Sequence, residues 1–250
     1  MKWLLTIGAI MALVVAVAQP NDLFEQGNTA YANEEWATAI EHYEAILDTD
    51  YRSASIHFNL ANAYYQIGDL GQAILHYERA WQLDPTDEDI IFNKKLANLQ
   101  IIDKVEPKEP TFIGAWWQSF LLTASTNVWA FTAVLFFFLT LGLGTVFLLV
   151  KHPFWRPFSF FGGLSTLVIA LLLTFIAHQR YGVTYPGTPE AIIMAPNVYV
   201  KSAPKAGSTD LFILHEGLKV TVQEQEGDWL RIGVENDKQG WVKAADLAII

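Results

Sequence analysis

The sequence predicts a multi-domain architecture: an α-helical repeat module, a two-helix transmembrane hairpin and a C-terminal all-β barrel. Three observations carry this expectation. Much of the first hundred residues aligns with itself at a shift of 34; two charge-free apolar runs follow; and the last sixty residues break into short β-rich runs divided by turn residues. A chain of 250 residues that is 52% hydrophobic, but unevenly so, suits several small cores better than one large one.

The N-terminus reads Met1-Lys2, then an apolar run from Trp3 to Val17 that ends in Ala16-Val17-Ala18. One cation, a short apolar stretch and a small-x-small ending fit a secretory signal peptide over residues 1–18, and an uncleaved anchor is the other reading. Either would deliver Asn21 onward across the membrane.

Residues 19–108 form the repeat module. The shift of 34 pairs Phe24 with Phe58, Gly27 with Ala61, Asn28 with Asn62, Tyr31 with Tyr65, Ala39 with Ala73, Ile40 with Ile74 and Tyr43 with Tyr77. A period of that length is one helical hairpin per copy. Small residues mark the crossing of its two helices, and turn chemistry falls at Glu34-Glu35 and Gly68-Asp69. Asp84-Pro85 closes the second copy, because proline halts one helix and suits the start of the next. A further helix from Asp87 to about Asp103 begins with acids that favour a helix N-terminus, and its Phe92 continues the series of Phe24 and Phe58.

These positions resemble the tetratricopeptide repeat, most closely over Ser55–Pro85. In the first copy Tyr51 stands where the closing proline is usual. The resemblance implies a concave groove, lined by the first helix of each hairpin, that receives an extended peptide or a partner helix. By position that groove holds Phe24, Asn28, Tyr31, Phe58, Asn62, Tyr65 and Phe92. Asparagine can satisfy a peptide's backbone donor and acceptor together, while Phe and Tyr supply apolar contact area. The alternative for the phenylalanines is packing between repeats.

Between Gln19 and Pro110 there are 17 acidic residues against 6 basic ones, so the net charge of -10 sits almost entirely in this module. Such a surface repels phosphate backbones, which excludes nucleic acid as a partner. The chain has no cysteine, which removes disulfides, thiolate metal sites and thiol nucleophiles. His42 and His76 are 34 residues apart on equivalent helices, too far apart to share a metal, and both read as exposed helix residues. No metal site or cofactor is expected.

Residues 109–127 carry Phe112, Trp116, Trp117, Phe120 and Leu121 at a helical interval. This pattern suits a short helix in the headgroup layer, or equally an apolar lead-in to the span that follows. Val128–Val150 and Phe158–Ala177 are free of charge and long enough to cross a bilayer core of about 30 Å. The link between them, 151–157, contains Lys151 and Arg156, and positive residues in short loops favour the cytoplasmic side. Both flanks would then face the periplasm of a bacterial inner membrane. Neither run carries an ionisable residue of the kind a proton or ion pathway needs, which disfavours transport. Gly142, Gly144, Gly162, Gly163 and Ser165 could let the two helices approach closely.

After a linker at 178–189, residues 190–250 show β-rich runs at Ala191–Met194, Val198–Lys201, Leu211–Leu214, Leu218–Gln225, Trp229–Val234 and Gly240–Lys243. Gly227-Asp228-Trp229 followed by Gly240-Trp241-Val242 resembles the bacterial SH3-like domain, with Ala203 and Lys201 in place of the usual Gly and Arg near Pro204. Trp229 and Trp241 read as core residues rather than ligand contacts.

The order of repeats, Trp-Trp lead-in, two spans and terminal β-domain resembles the Bacteroides aerotolerance (Bat) family. That resemblance implies membrane partners with von Willebrand A domains, a MoxR-type ATPase nearby, and a part in envelope stress or oxygen tolerance. No nucleophile elbow, phosphate loop or Ser/His/Asp constellation is present to support an enzyme. The expected function is therefore a non-enzymatic scaffold that binds protein partners through its repeats. The alternative is a cell-wall reader that contacts peptidoglycan through the SH3-like domain.

Overall fold

A computed structural model describes residues 21–104, 111–185, 187–234 and 238–250. The expected signal peptide lies outside them. The chain divides into two compact units, one formed by the repeat module with the C-terminal β-domain from residue 188, the other by residues 108–187.

The repeat half of the first unit is five helices: α1 over residues 21–32, α2 (Trp36–Leu47), α3 (Ala54–Ile67), α4 (Leu70–Leu83) and α5 (Glu88–Asn98). Local chemistry sets their ends. Gly68 closes α3 at a φ of +82°, a left-handed conformation that glycine adopts without penalty. Asp69 then caps α4 by accepting from the Gln72 N–H at 3.1 Å, and Asp87 caps α5 by accepting from the Asp89 and Ile90 N–H groups. Within each hairpin the small residue comes where expected. A Cβ on Gly27 would lie 2.5 Å from the Tyr43 ring, so the α1–α2 crossing has room only for hydrogen at that point.

Residues 190–249 form a seven-stranded antiparallel sheet: β1 (Glu190–Ile193), β2 (Asn197–Lys201), β3 (Asp210–His215), β4 (Lys219–Glu226), β5 (Trp229–Gly233), β6 (Gln239–Lys243) and β7 (Leu247–Ile249), in the order β3-β2-β6-β5-β4-β1-β7. Period-two alternation puts Val198, Val200, Leu230, Ile232 and Val242 inside. The sequence reading misses β7, a three-residue strand after a short 3-10 turn at Ala244–Asp246. It also misassigns two tryptophans. Trp229 and Trp241 alternate with the inward residues, point to the outer face and are half-exposed rather than core.

The repeats and the β-domain share one continuous apolar core, from Ala39 and Ile74 to Ile193, Val220 and Val242. Gly217, at a φ of +86°, sits where a Cβ would come within 2.8 Å of Ile101 and 2.9 Å of Ile74. Around it Glu216 accepts from the Gly71 N–H at 2.7 Å, Asp103 accepts from the His215 N–H at 2.6 Å, and Arg79 donates to the Ile249 carbonyl at 2.8 Å. The β-domain is thus docked on the repeats, where the sequence led us to expect two separate modules.

The second unit contains α6 (Phe112–Leu121), α7 (Thr126–Leu149) and α8 (Trp155–Thr184). The helices α7 and α8, of 24 and 30 residues, each containing an 18-residue stretch of mean hydropathy 2.3, are long and apolar enough to cross a membrane. At 1.5 Å per residue α8 is about 45 Å long and exceeds the hydrocarbon core. It takes in residues 178–184, expected as linker, and begins at Trp155 so that Pro157 falls in its first turn, where no intrahelical N–H is lost. Ser125 caps α7. Gly142 and Gly144 do not face α8; instead Gly162 and Gly163 lie against Leu143, and the Thr140 and Thr166 hydroxyls hydrogen-bond across the hairpin at 2.8 Å. Aromatic clusters mark both ends: Trp117, Phe120 and Trp129 at one, Phe154, Trp155 and Phe158 at the other.

Candidate functional site

The helices expected to line a groove are α1, α3 and α5, and a polar ladder runs through them. Asn28 Oδ1 accepts from the Tyr43 hydroxyl at 2.8 Å and from Asn59 Nδ2 at 2.9 Å. One period later, Asn62 Oδ1 accepts from the Tyr77 hydroxyl at 2.6 Å and from Asn93 Nδ2 at 3.3 Å. Each acceptor oxygen is therefore used twice, by the second helix of its own repeat and by the first helix of the next. A carbonyl oxygen has two lone pairs, so nothing remains on that side for a ligand. The expectation that each asparagine offers both donor and acceptor needs correcting: only the Nδ2 side is available. Among the described residues neither Nδ2 has a protein acceptor, and neither is buried without a partner, so both retain contact with solvent.

Burial raises the Tyr43 hydroxyl to about 12 and Tyr77 further still, which keeps both phenols protonated as donors. The ring pairs repeat too, Phe24 on Tyr43 and Phe58 on Tyr77, each at 6.1 Å between centroids. Phe24 and Phe58 accordingly brace the tyrosines that orient the asparagines. Phe92, their third counterpart, has no tyrosine after it and is 66% exposed.

A cavity of about 210 Å³ opens on this ladder, lined by Tyr31, Asn62, Tyr65, Asn93 and Leu96 among others. Every residue lining it is uncharged. Of the seven expected groove residues, Tyr31, Asn62 and Tyr65 line this cavity, while Phe24, Asn28, Phe58 and Phe92 lie outside its lining. Tyr31 is fixed edge-on against Trp36 at 4.8 Å, and Tyr65 accepts from the Gln100 side chain. The sequence reading missed Asn59, Asn93 and Leu96. The two asparagines are 34 residues apart, and the same shift that found Asn28 and Asn62 would have found them.

A second cavity, about 730 Å³, lies where α4 and α5 meet the β-domain. Its floor is an alternating charge chain. Glu78, only 5% exposed, accepts from Lys94 at 3.3 Å and pairs with Lys219 at 3.5 Å, and Lys219 also reaches Glu190 at 3.2 Å. Burial works against the Lys219 ammonium, yet Glu78 and Glu190 together hold its pKa above the ordinary lysine value. For Lys94 burial prevails over Glu78 and lowers it.

Between α3 and α4 the rings of His57 and His76 stack, with their Nδ1 atoms 3.0 Å apart, and Tyr64 stacks on His76. His76, expected as an exposed residue, is buried. Desolvation pushes both imidazoles well below their usual value, with Arg79 adding to the effect on each. Two imidazoles sharing one proton across Nδ1 make a neutral hydrogen-bonded pair, and among the described residues no third ligand joins them as a metal site would require.

On the outer face of the β-domain, Trp241 is paired across the sheet with Arg231 and Lys201, beside Tyr199 on β2 and Trp229 on β5. This strip mixes flat aromatic surface with two ion-paired cations, Lys201 with Asp210 and Arg231 with Glu224 at 3.5 Å.

Residues 24–88 match the tetratricopeptide repeat family. Residues 196–248 match the bacterial SH3 domain family. Serine/threonine-protein phosphatase T of Aspergillus oryzae is 32% identical over 78 residues, covering 31% of this chain and 16% of that protein. Outer membrane protein assembly factor BamD of Vibrio cholerae is 37% identical over 79 residues, covering 30% of this chain and 32% of that protein. The chain thus spans under a third of the length of these curated relatives. Among solved structures, the Arabidopsis OM64 TPR domain aligns at 12% identity and a TM-score of 0.31, covering 67% of this chain and 95% of that one. The first TPR of Spaghetti (RPAP3) bound to an HSP90 peptide aligns at 17% identity and a TM-score of 0.21, covering 33% and 92% respectively.

Proposed function

We propose that this chain is a non-enzymatic, membrane-anchored adaptor whose tetratricopeptide groove holds a segment of a partner protein. The Asn–Tyr ladder is the observation that carries the reading. A pair of asparagines whose oxygens are locked by Tyr43, Tyr77, Asn59 and Asn93 presents two amino groups in fixed positions, ready to donate to backbone carbonyls of an extended segment. Beside them the uncharged cavity suits an apolar side chain. The membrane hairpin anchors the groove, the Lys151 and Arg156 link lies in the cytoplasm, and the groove faces the periplasm. The architecture resembles that of BatE-type proteins, and under that resemblance the partners are membrane proteins with von Willebrand A domains, acting in stress or oxygen tolerance.

The test uses the full chain. Asn28→Asp with Asn62→Asp keeps both acceptor oxygens and removes both donors, so the helical fold persists while crosslinked partner in native membranes falls. Unchanged capture by this variant would mean that the groove is not the binding surface.

A second reading rests on the outer strip of Trp241, Trp229, Tyr199, Lys201 and Arg231. The aromatic faces suit the sugar rings of peptidoglycan, with Lys201 and Arg231 held beside them by Asp210 and Glu224. Sedimentation of the detergent-solubilised chain with purified cell wall, lost in Trp241→Ala and retained in the Asn28→Asp, Asn62→Asp variant, would favour this reading over the first.

A further inference from the structure

The last repeat helix is left half-dressed. In the two complete hairpins the first helix is covered by a second, whose tyrosine lies on the phenylalanine of the first. The helix α5 has no such partner among the described residues of its own unit, and its outward side is apolar. Ile91, Phe92, Leu96 and Leu99 are all exposed, at 42%, 66%, 40% and 62%, and Ile102 continues the stripe just past the helix end. A terminal repeat helix usually turns a polar side to water. This one exposes five large apolar side chains; Glu88 and Lys95 lie within the stripe and Asp89 on its edge beside Leu96, and none of the three is ion-paired with a described residue.

We propose that a second copy of this chain covers this face, α5 against α5 and antiparallel about a twofold axis through Ile91 and Phe92. Charge placement selects that occupant. Residues 88, 91, 92 and 95 are spaced i, i+3, i+4 and i+7, the rhomb through which two crossing helices touch. With the axis at its centre, Glu88 of each copy meets Lys95 of the other, and Ile91 and Phe92 of the two copies meet in the middle. The patch is self-complementary, as an isologous contact requires. Two crossed helices of this length bury a few hundred Å² per copy, below the roughly 800 Å² of an independently stable interface. The contact therefore depends on confinement of both copies to one membrane, which raises their effective concentration. It shares Leu96 with the lining of the Asn62 cavity, but like-to-like crosslinking at position 92 reads the α5 face alone, so its failure is distinguishable from failure of the groove reading.

The chain lacks cysteine, so single-cysteine variants report without background. In membranes containing the full chain, Phe92→Cys should oxidise to a disulfide-linked dimer, since like residues near the axis approach within disulfide reach. Ser55→Cys, exposed on α3, should stay monomeric. Glu88→Lys and Lys95→Glu should each lower the Phe92→Cys dimer yield about fivefold, as loss of two weak ion pairs would, and the double reversal should restore it. Equal yields at positions 92 and 55, an adduct at 92 with the mass of another protein, or charge reversals that have no effect or are not rescued in the double variant would each overturn the proposal.

Discussion

Tyr77 donates its hydroxyl to Asn62 Oδ1 at 2.6 Å, and Tyr43 makes the same bond to Asn28 one repeat earlier at 2.8 Å. The phenols belong to the second helix of each hairpin and the amides to the first, so each bond sets both a helix crossing and the orientation of an asparagine side chain. Tyr77→Phe keeps the ring and its contact with Phe58 but removes one donor from Asn62. Its expected cost is about 1 kcal/mol of stability, with a larger proportional loss of partner capture because the amide is free to turn. Thermal unfolding and crosslinking measured on the same variant separate the two effects.

Gly27→Ala should destabilise the repeats by about 1–3 kcal/mol. The new methyl group would collide with a Tyr43 ring that is fully buried and hydrogen-bonded, so the ring cannot yield cheaply. The comparison is Gly142→Ala, which has open space around it and should leave the melting temperature unchanged.

Acid should weaken the repeat module through His57 and His76. Both have folded pKa values depressed by burial, His57 to about 4, so the unfolded chain binds protons first as pH drops. Stability from this pair is complete above the unfolded imidazole value of about 6.5 and is lost between there and the folded values, with a slope of up to about 1.4 kcal/mol per pH unit for each group. Hydrogen exchange of α3 and α4 at pH 7 and pH 5 should show the loss, and a His57→Phe, His76→Phe variant should flatten the difference.

Gly217→Ala should loosen the β-domain from the repeats. It combines a strained positive φ with a methyl group driven into Ile101 and Ile74. Hydrogen exchange should rise at the Gly71 and His215 amides, which are held by the docking contacts, while the β5–β6 amides stay protected. Uniform protection would show that the docking tolerates the change.

The elements were readable from the sequence because each has a local signature: a 34-residue shift for the hairpins, uncharged length for α7 and α8, and alternation for the strands. What escaped was set by residues far apart in the chain. Asp103 meets His215 across 112 positions and Arg79 meets Ile249 across 170, and no periodicity connects either pair. His76 was misplaced for a related reason. Its repeat equivalent, His42, is half-exposed, but the repeat equivalent of its partner His57 is Leu23, so matching positions do not have matching surroundings. Trp229 and Trp241 were assigned to the interior by size, whereas strand parity puts Leu230 and Val242 there.

The common core of residues 21–104 and 188–250 also restricts the path of the chain through a membrane. Side chains such as Ile74 and Val220 belong to one apolar cluster, so the two stretches that contribute them must end up in the same compartment. If α7 and α8 enter a membrane, they must cross it an even number of times, which a two-helix hairpin satisfies. Losing either helix would strand the two parts of the core on opposite sides of the lipid, each with an uncovered apolar surface.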